Sequence, residues 1–335
     1  MSPKNETTIL IFTLLITVSI LGGCLWLVTH WNKKQSQESQ PIPQNLAMVE
    51  NVPSGLFNYG GSTTFAPIRQ EVDRVIQTVW PNFHLRYTDP ISGTPGSRKG
   101  IEMLLKNQLA FSQSSRAIKN DEYEAAKPGG FILKEIPVAI DGIAIAVHPD
   151  LNIPGITLAQ LKDIYLGKIT NWREVGGADL PIIPYSRDPK DGGTVEFFID
   201  NILGGEELGK NVELVYSTTP GLRKVAENLG GIYYASAPEV VPQCTVKTLP
   251  IGKTTEQFIP PYQEPFIPQS QCPNQRNQIS QAAFQSGAYP ITRRLFVIIK
   301  ENGQDDEQAG LAYANLLLTE QGQDLIEKAG FVRLR

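Results

Sequence analysis

The sequence is poor in histidine and cysteine, and neither sign of charge dominates it. Among 335 residues there are 3 His and 3 Cys, and 30 Lys and Arg stand against 34 Asp and Glu. The formal net charge of −4 lacks the basic footprint that general nucleic-acid binders carry. We therefore predict no nucleic-acid partner. Binding of a small anion remains possible, because a few hydrogen-bond donors directed at the anion outweigh the mildly negative electrostatic field of the protein.

The few histidines and cysteines form no catalytic or metal-binding pattern in the sequence. His30, His84 and His148 belong to no nucleophile motif, and Cys244 and Cys272 have no neighbouring Cys or His to complete a metal site. The P-loop motif G-x-x-x-x-G-K-[ST] and the dinucleotide fingerprint G-x-G-x-x-G are missing. We therefore predict no metal, no cofactor and no catalytic residue, and we expect a protein that is not an enzyme.

One long apolar run lies near the N-terminus. Residues 8–29 carry no charged side chain, and a run of this length can cross a bilayer as a helix. We predict a membrane anchor over residues 1–31. A lipoprotein signal with lipidated Cys24 is the first alternative, since Leu-Gly-Gly-Cys precedes and includes that position, and a cleaved signal peptide is the second. Residues 32–54, rich in Gln, Ser, Pro and Asn, predict a flexible linker.

From Leu56 onward, short apolar runs alternate with helical patterns, which is typical of an α/β protein. Residues 136–147 and 295–299 are apolar runs that predict buried strands, the first of them passing between two domains. Apolar residues on one face predict a helix over 66–80. Thr157 and Gln160 have the spacing of a capping box and predict a helix start.

Residues 242–285 differ from the rest of the chain, with many Pro, Gln and Ser and little periodicity. They predict a long irregular excursion. Cys244 and Cys272 bracket most of it. If the domain is exported, these two cysteines predict a disulfide that restricts the segment. Two unpaired thiols are the alternative.

Four segments place small or hydroxyl residues just before a helix: 60–67, 92–97, 112–116 and 187–194. In the first, Thr64 is a natural N-cap and Pro67 suits the first helical turn. Free N–H groups at such a helix start, together with hydroxyls, can hold an anion. Each segment alone is better explained by capping and turn geometry. Their recurrence, with an Arg in two of them, indicates an oxyanion site.

These segments resemble those of the phosphate-binding receptors of phosphate ABC transporters, the PstS-like family of periplasmic binding proteins. The resemblance covers residues 56–335. It rests on Gly-Ser-Thr-Thr-Phe-Ala-Pro at 61–67, on Ser-Ser-Arg at 114–116, on Gly-Ile-Tyr-Tyr-Ala-Ser at 231–236 and above all on Leu-Lys-Asp-Ile-Tyr-Leu-Gly-Lys-Ile-Thr-Asn-Trp at 161–172.

The resemblance implies a two-lobed, type II periplasmic-binding-protein-like α/β fold with a central ligand cleft. Lobe 1 would comprise residues 55–140 with 290–335, and lobe 2 residues 141–289, including the excursion 242–285. The N-terminal helix or lipid would hold the protein at the extracytoplasmic face of a bacterial inner membrane, in the periplasm. The implied partners are inorganic phosphate or a related oxyanion and ABC permease subunits.

The resemblance also implies a set of phosphate-binding residues. Arg187 would form the ionic clamp, and Ser115 stands where the family often has an Asp that accepts a proton from hydrogen phosphate. Gly192 replaces a loop Ser, which removes one hydroxyl donor but keeps the amide. The whole implied set is Thr63, Thr64, Phe65, Thr94, Ser97, Ser115, Arg116, Arg187, Gly192, Gly193 and Thr194.

The predicted receptor would feed ABC-type phosphate uptake, and three other functions remain open at this stage. The first is that of a phosphate sensor. An envelope structural protein with a non-binding cleft would show no affinity for small anions. A phosphate-processing enzyme would show turnover, whereas a receptor binds phosphate without turnover and without a metal.

Overall fold

The computed structural model describes residues 43–190 and 192–334. The predicted anchor over residues 1–31, Cys24 and residues 32–42 of the predicted linker lie outside that part. Within it, no helix is both long and apolar enough to span a membrane. Residues 43–54 of the predicted linker contact the folded body: Leu46 is buried, and its carbonyl accepts a hydrogen bond from the Trp80 indole N–H at 2.9 Å.

The described residues form a mixed α/β fold, which confirms the predicted class. The strands are β1 (Gly55–Gly61), β2 (Phe83–Tyr87), β3 (Phe111–Ser114), β4 (Ile132–Val147), β5 (Ile156–Thr157), β6 (Ile183–Arg187), β7 (Glu213–Val215), β8 (Gly231–Ser236), β9 (Lys247–Leu249), β10 (Ile251–Thr254), β11 (Gln257–Ile259) and β12 (Thr292–Glu301). The α-helices are α1 (Ala66–Val79), α2 (Ser97–Leu105), α3 (Asn120–Ala126), α4 (Leu158–Tyr165), α5 (Gly193–Phe198), α6 (Thr218–Glu227), α7 (Ala237–Val240), α8 (Gln281–Gln285), α9 (Asp305–Leu318) and α10 (Glu320–Lys328).

One sheet runs through the described residues in the order β2-β1-β3-β12-β4-β8-β6-β7, with β9 also paired to β4. Strands β1, β2 and β3 are parallel to one another, and so are β6, β7 and β8. We call the part formed by β1, β2, β3 and β12 the first half of the sheet, and the part formed by β6, β7, β8 and β9 the second half.

The long strand β4 belongs to both halves of the sheet. Its residues 132–142 pair with β12, and its residues 143–147 pair with β8. A strand with neighbours on both sides and cover on both faces is mainly apolar. For this reason the apolar run 136–147 predicts a buried strand. The prediction of a buried strand over this run is confirmed, and its passage between two domains stays a prediction.

Each half of the sheet has its own hydrophobic core. Around the first half, Phe65 and Ile68 pack with residues of α9 and β12, among them Tyr313 and Leu295. A smaller cluster under α2 adds to this core. Around the second half, the core includes Trp172 among residues of α4, α5, β8 and the second part of β4. Burial of large apolar side chains supplies most of the favourable free energy of folding.

Helix starts are encoded locally. The predicted capping box at the start of α4 is present: the Gln160 N–H donates to Thr157 Oγ1 at 3.1 Å, and the Thr157 N–H donates to Gln160 Oε1 at 2.8 Å. The first helix start differs from the prediction. A 3₁₀ turn over Thr63–Phe65 precedes α1, so the cap moves upstream and Ser62, not Thr64, accepts from the backbone.

The excursion 242–285 carries more regular structure than its composition suggested. It contains β9, β10, β11 and α8, and β10 pairs with β5 in a small three-stranded sheet. Cys244 and Cys272 form a disulfide with Cα atoms 5.8 Å apart, as predicted. In the chain, β9, β10, β11 and a 3₁₀ turn, Gln269–Gln271, lie between the two cysteines.

Candidate functional site

The loop after β1 ends in a tight hydroxyl turn. Ser62 Oγ accepts a hydrogen bond from the Thr64 N–H at 3.3 Å, and the Phe65 N–H donates to the Ser62 carbonyl at 3.3 Å. Ser62, Thr64 and Phe65 are buried, whereas Thr63 is exposed at the turn. With Ser62 acting as the cap, the Thr64 hydroxyl is left to face other elements of the fold.

Buried serines join the first three of the four predicted segments. Ser62 Oγ donates to Ser115 Oγ at 3.0 Å, and the Ser115 N–H donates to Ser97 Oγ at 3.0 Å. The Ser97 and Ser115 hydroxyls are also 3.2 Å apart. Ser97 and Ser115 are therefore close together, as the resemblance implied, but their hydroxyls are bonded to each other and to the loop after β1.

The backbone of the fourth segment lies close to these serines, and glycine residues make this close approach possible. A β-carbon at Gly193 would collide with the hydroxyl oxygens of Ser97 and Ser115, and one at Gly96 would lie 2.9 Å from the Gly192 Cα. Gly192 also has a φ of +129°, a conformation that glycine adopts far more readily than other residues. Glycine at positions 192 and 193 thus lets the backbone that starts α5 approach the second and third segments.

Arg187, at the end of β6, lies beside a small polar cavity of about 30 Å³. The lining includes six hydroxyl-bearing residues, which are Thr63, Thr64, Thr194, Thr218, Tyr233 and Tyr234. Arg187 Nε is buried and has no hydrogen-bond partner among the described residues. A buried N–H without a partner costs roughly 1–3 kcal/mol, so this donor is suited to a ligand that supplies an acceptor.

A larger cavity of about 250 Å³ lies beside the disulfide. Among its described lining residues, no buried hydrogen-bond donor lacks a partner as Arg187 Nε does. Its lining includes Asp150, Lys247 and Asn277. The Lys247 ammonium donates to the Leu151 carbonyl, and the Asn277 amide bonds the backbone of Ile267 in both directions. Lys247 and Asn277 are thus engaged within the protein, and the smaller cavity at Arg187, with its unpartnered buried Nε, is the better candidate for an anion.

A second arginine that the sequence reasoning did not assign to the site holds the two halves together. Arg293, on β12, forms a buried ion pair with Asp141 at 2.8 Å. The same guanidinium donates to Thr64 Oγ1 at 3.3 Å, to Thr194 Oγ1 at 2.9 Å and to the Gly193 carbonyl at 3.3 Å. The Arg293 side chain therefore fixes the hydroxyl groups of two residues that line the cavity, Thr64 beside the first half of the sheet and Thr194 beside the second half.

The predicted ligand Arg116 is engaged by carboxylates. Its Nε donates to Glu196 at 2.7 Å, and its terminal nitrogens donate to Glu122 at 2.7 and 2.9 Å. Burial opposes the charge of Arg116, but Glu122 and Glu196 raise its pKa overall. Because Glu196 lies on α5, this ion pair also links the third segment to the helix that begins at the end of the fourth segment. Thr94 is half-buried on the loop before α2, and the small cavity is lined by other residues.

One acidic group lines the cavity. Glu239, on α7, lines the same cavity as Arg187. Burial raises the pKa of Glu239; the hydrogen bond from Thr218 lowers it, Asp141 raises it, and Arg293 and Arg187 lower it. The cavity is therefore lined by one arginine, several hydroxyl-bearing residues and one acidic residue, and the guanidinium and hydroxyl groups are donors that suit a small anion.

The fold is that of a known superfamily. The family model of the PBP superfamily domain matches residues 28–321, and the chain belongs to that superfamily.

Among curated proteins, the chain is similar to the phosphate-binding protein PstS of Staphylococcus epidermidis, with 26% identity over 281 residues that cover 81% of this chain and 77% of that protein. The predicted resemblance to the PstS-like family is thus confirmed.

Solved structures show the same fold. A substrate-binding protein from Clostridium perfringens, crystallised with bound phosphate, matches with a TM-score of 0.65 and 24% identity over 84% of this chain and 100% of its own. An ABC-type phosphate transport receptor from Vibrio cholerae matches with a TM-score of 0.63 and 22% identity over 82% of this chain and 99% of its own.

Proposed function

We propose that this chain is an extracytoplasmic solute-binding protein that holds phosphate, or a closely related oxyanion, in the cavity at Arg187. The observation that carries the proposal is the buried Arg187 Nε, which has no hydrogen-bond partner among the described residues and lies among hydroxyl groups. A guanidinium fork with hydroxyl and amide donors matches the acceptor oxygens of a tetrahedral oxyanion. The names of the staphylococcal and Vibrio relatives support the same ligand.

The proposed ligand shell draws on both halves of the sheet. Thr63, Thr64 and the Phe65 amide would approach the anion from the first half, with Thr94, Ser97, Ser115 and Arg116 behind or beside them. Arg187, Thr194 and the Gly192 and Gly193 amides would approach from the second half. Contacts between Gly193 and the buried serines support the convergence of these segments.

We further propose that the two halves are the lobes of a type II binding protein, with lobe 1 over residues 55–140 and 290–335 and lobe 2 over residues 141–289. Separate hydrophobic cores support this division. Because β4 continues from one proposed lobe into the other, an anion held by donors from both sides would favour a closed arrangement. We also propose that residues 1–31, or a lipid on Cys24, anchor the protein to the membrane. The protein would then deliver phosphate to an ABC permease.

Calorimetry tests the function directly. The full-length chain in detergent is titrated with phosphate, and the same preparation is incubated with p-nitrophenyl phosphate. We expect one phosphate per chain, binding that persists in the presence of a metal chelator, and no release of nitrophenol. Absence of phosphate binding would contradict the proposed function, and hydrolysis of the ester would favour the enzyme alternative.

A further inference from the structure

Two stacked side chains, which we call the arginine–tyrosine pair, hold the turn that follows β1. Arg69, on α1, donates from Nη1 to the Ser62 carbonyl at 3.3 Å, and its Cζ lies 3.9 Å from the centre of the Tyr87 ring. The Tyr87 hydroxyl donates to the Gly61 carbonyl at 3.1 Å. Two consecutive carbonyl groups of the turn are therefore bound by one pair of side chains.

The same guanidinium is attached to the core of the first half of the sheet. Arg69 Nη1 also donates to Gln113 Oε1 at 2.8 Å, and Gln113 is fully buried on β3. The Gln113 side-chain amide donates to the Tyr313 hydroxyl at 3.0 Å, and its backbone carbonyl accepts from the Ser62 N–H at 2.8 Å. Arg69 and Ser62 are therefore attached to the same residue of β3, which a residue of α9 holds in place.

The charge of Arg69 strengthens its hold on the turn. Both acceptors of Arg69 Nη1 are neutral oxygens. Asp73, one turn further along α1, is bonded instead to the hydroxyl groups of Tyr59 and Tyr313. Hydrogen bonds in which one partner is ionised are about twice as strong as those between neutral groups. The guanidinium therefore binds the Ser62 carbonyl more strongly than a neutral donor would.

The position of Ser62 determines where the next residues of the turn lie. Ser62 Oγ accepts from the Thr64 N–H, and the Ser62 carbonyl accepts from the Phe65 N–H, both at 3.3 Å. Thr64 lines the cavity at Arg187, whereas the arginine–tyrosine pair lies outside that lining. The pair can therefore act on a ligand only through the turn.

We propose that Arg69, stacked on Tyr87, is a positioning residue of the anion site, which holds the turn 61–65 in its binding geometry without touching the ligand. Donors that are fixed before binding avoid the entropic cost of being ordered by the ligand. If the turn is released, only a fraction of the molecules is competent to bind, and the affinity falls by that fraction. This inference rests on the proposed function, because the ligand is the oxyanion proposed above.

Arg69→Met tests the positioning role, because the new side chain keeps an apolar stem against Tyr87 but donates no hydrogen bond. Arg74→Met is the matched control, since Arg74 is exposed on the same helix and its replacement removes the same charge. Calorimetry on the full-length chain in detergent should show phosphate affinity lower by about tenfold or more for Arg69→Met and within about twofold of the wild type for the control. Circular dichroism verifies that each variant is folded.

Salt dependence separates positioning from attraction of the anion by a distant charge. The loss of affinity in the Arg69→Met variant should have the same size at about 0.05 M and about 0.5 M sodium chloride, because screening does not affect a missing contact within the turn. Attraction by a distant charge would instead be largely screened at the higher concentration. A loss that disappears there would refute positioning.

Nuclear magnetic resonance reports on the turn itself. Without phosphate, the amide signals of Thr63 and Thr64 should broaden in the Arg69→Met variant, because the released turn exchanges between conformations. The same signals should keep their wild-type line widths in the Arg74→Met variant. Signals that are unchanged in both variants would show that Arg69 does not hold the turn.

Tyr87→Phe keeps the inference testable if the Arg69→Met variant does not fold. It removes only the hydroxyl group that binds the Gly61 carbonyl. Phosphate should then bind about threefold more weakly, since one hydrogen bond to the turn is lost. Wild-type affinity in this variant would contradict the role of the arginine–tyrosine pair.

The outcomes separate the inference from the function. If the wild type binds phosphate and the folded Arg69→Met variant binds it within about twofold of the wild type, the positioning role is refuted and the proposed function stands. If neither the wild type nor the Arg74→Met control binds phosphate, the proposed function fails and this inference fails with it.

Discussion

Arg293 and Asp141 face each other as register partners on β12 and β4, and their side chains form an ion pair at 2.8 Å that is shielded from solvent. Ser236 Oγ donates to the other carboxylate oxygen of Asp141 at 2.7 Å. Because the Arg293 guanidinium also holds Thr64 and Thr194, this pair fixes two lining residues of the cavity at Arg187. The pair therefore contributes both to stability and to the preorganisation of the site.

Asp141→Asn should strongly destabilise the fold. Removal of one charge from a buried ion pair leaves the other charge uncompensated, and such changes cost about 3–5 kcal/mol. Urea unfolding followed by circular dichroism measures the loss. Glu124→Gln is the control, because Glu124 pairs with Lys127 on an exposed surface, where such pairs contribute about 0–1 kcal/mol. Equal losses in the two variants would contradict the role of the buried pair.

Arg187→Ala should weaken phosphate binding by about 1.5–3 kcal/mol, which is roughly 10- to 100-fold in Kd, because a charge-assisted hydrogen bond is lost. Isothermal titration calorimetry measures the change. Arg173→Ala is the matched control, since Arg173 is exposed and pairs with Asp179. Unchanged phosphate affinity in the Arg187→Ala variant would remove Arg187 from the site.

The sequence carried enough information to predict most of the fold around this site. Strand β4, helix α1 and the capping box at Thr157 follow from local patterns that the structure reproduces. The N-cap at Ser62 was missed because Ser62 and Thr64 have similar capping propensity, and only the short 3₁₀ turn between them moves the cap.

The buried ion pair was missed for a different reason. Asp141 and Arg293 are 152 residues apart, so no local pattern joins them. A signal did exist: Asp141 is the one charge within the apolar run 136–147, and Arg293 precedes the apolar run 295–299. A buried charge requires a partner. Two apolar strands that carry opposite charges are therefore predicted to be neighbours. The pairing of Arg116 with Glu122 and Glu196 is likewise tertiary and has no local signature.

Asp73 should make stability depend on pH in an unusual direction. Burial raises the pKa of Asp73 to about 6 from 3.8, although hydrogen bonds from Tyr59 and Tyr313 lower it. Between about pH 4 and 6 the folded chain thus binds more protons at this residue than the unfolded chain does, so its contribution to the unfolding free energy falls as pH rises.

Comparison of the wild type with Asp73→Asn isolates this effect. Relative to the wild type, the variant should gain about 3 kcal/mol in unfolding free energy as pH rises from about 3 to about 7, and the difference should stay constant above that range. Urea unfolding at several pH values measures it. A stability difference that does not vary with pH would contradict burial as the cause of the raised pKa.

Reduction of the disulfide should lower stability without loss of the ligand site. The bridge spans 28 residues, and closing a loop of that size is worth about 3–4 kcal/mol in the chain-entropy model. Cys244→Ser together with Cys272→Ser should show this loss in urea unfolding and keep phosphate affinity within about twofold, because the lining of the cavity at Arg187 excludes both residues. A large loss of affinity in the folded variant would show that the excursion supports the site.

A crystal structure of the protein soaked with phosphate tests the central claim most directly. We predict electron density for one tetrahedral anion in the cavity at Arg187, with an oxygen within hydrogen-bond distance of Arg187 Nε and with others near the hydroxyl groups of Thr64 and Thr194. Density for phosphate at another place, with Arg187 directed away from it, would contradict the account.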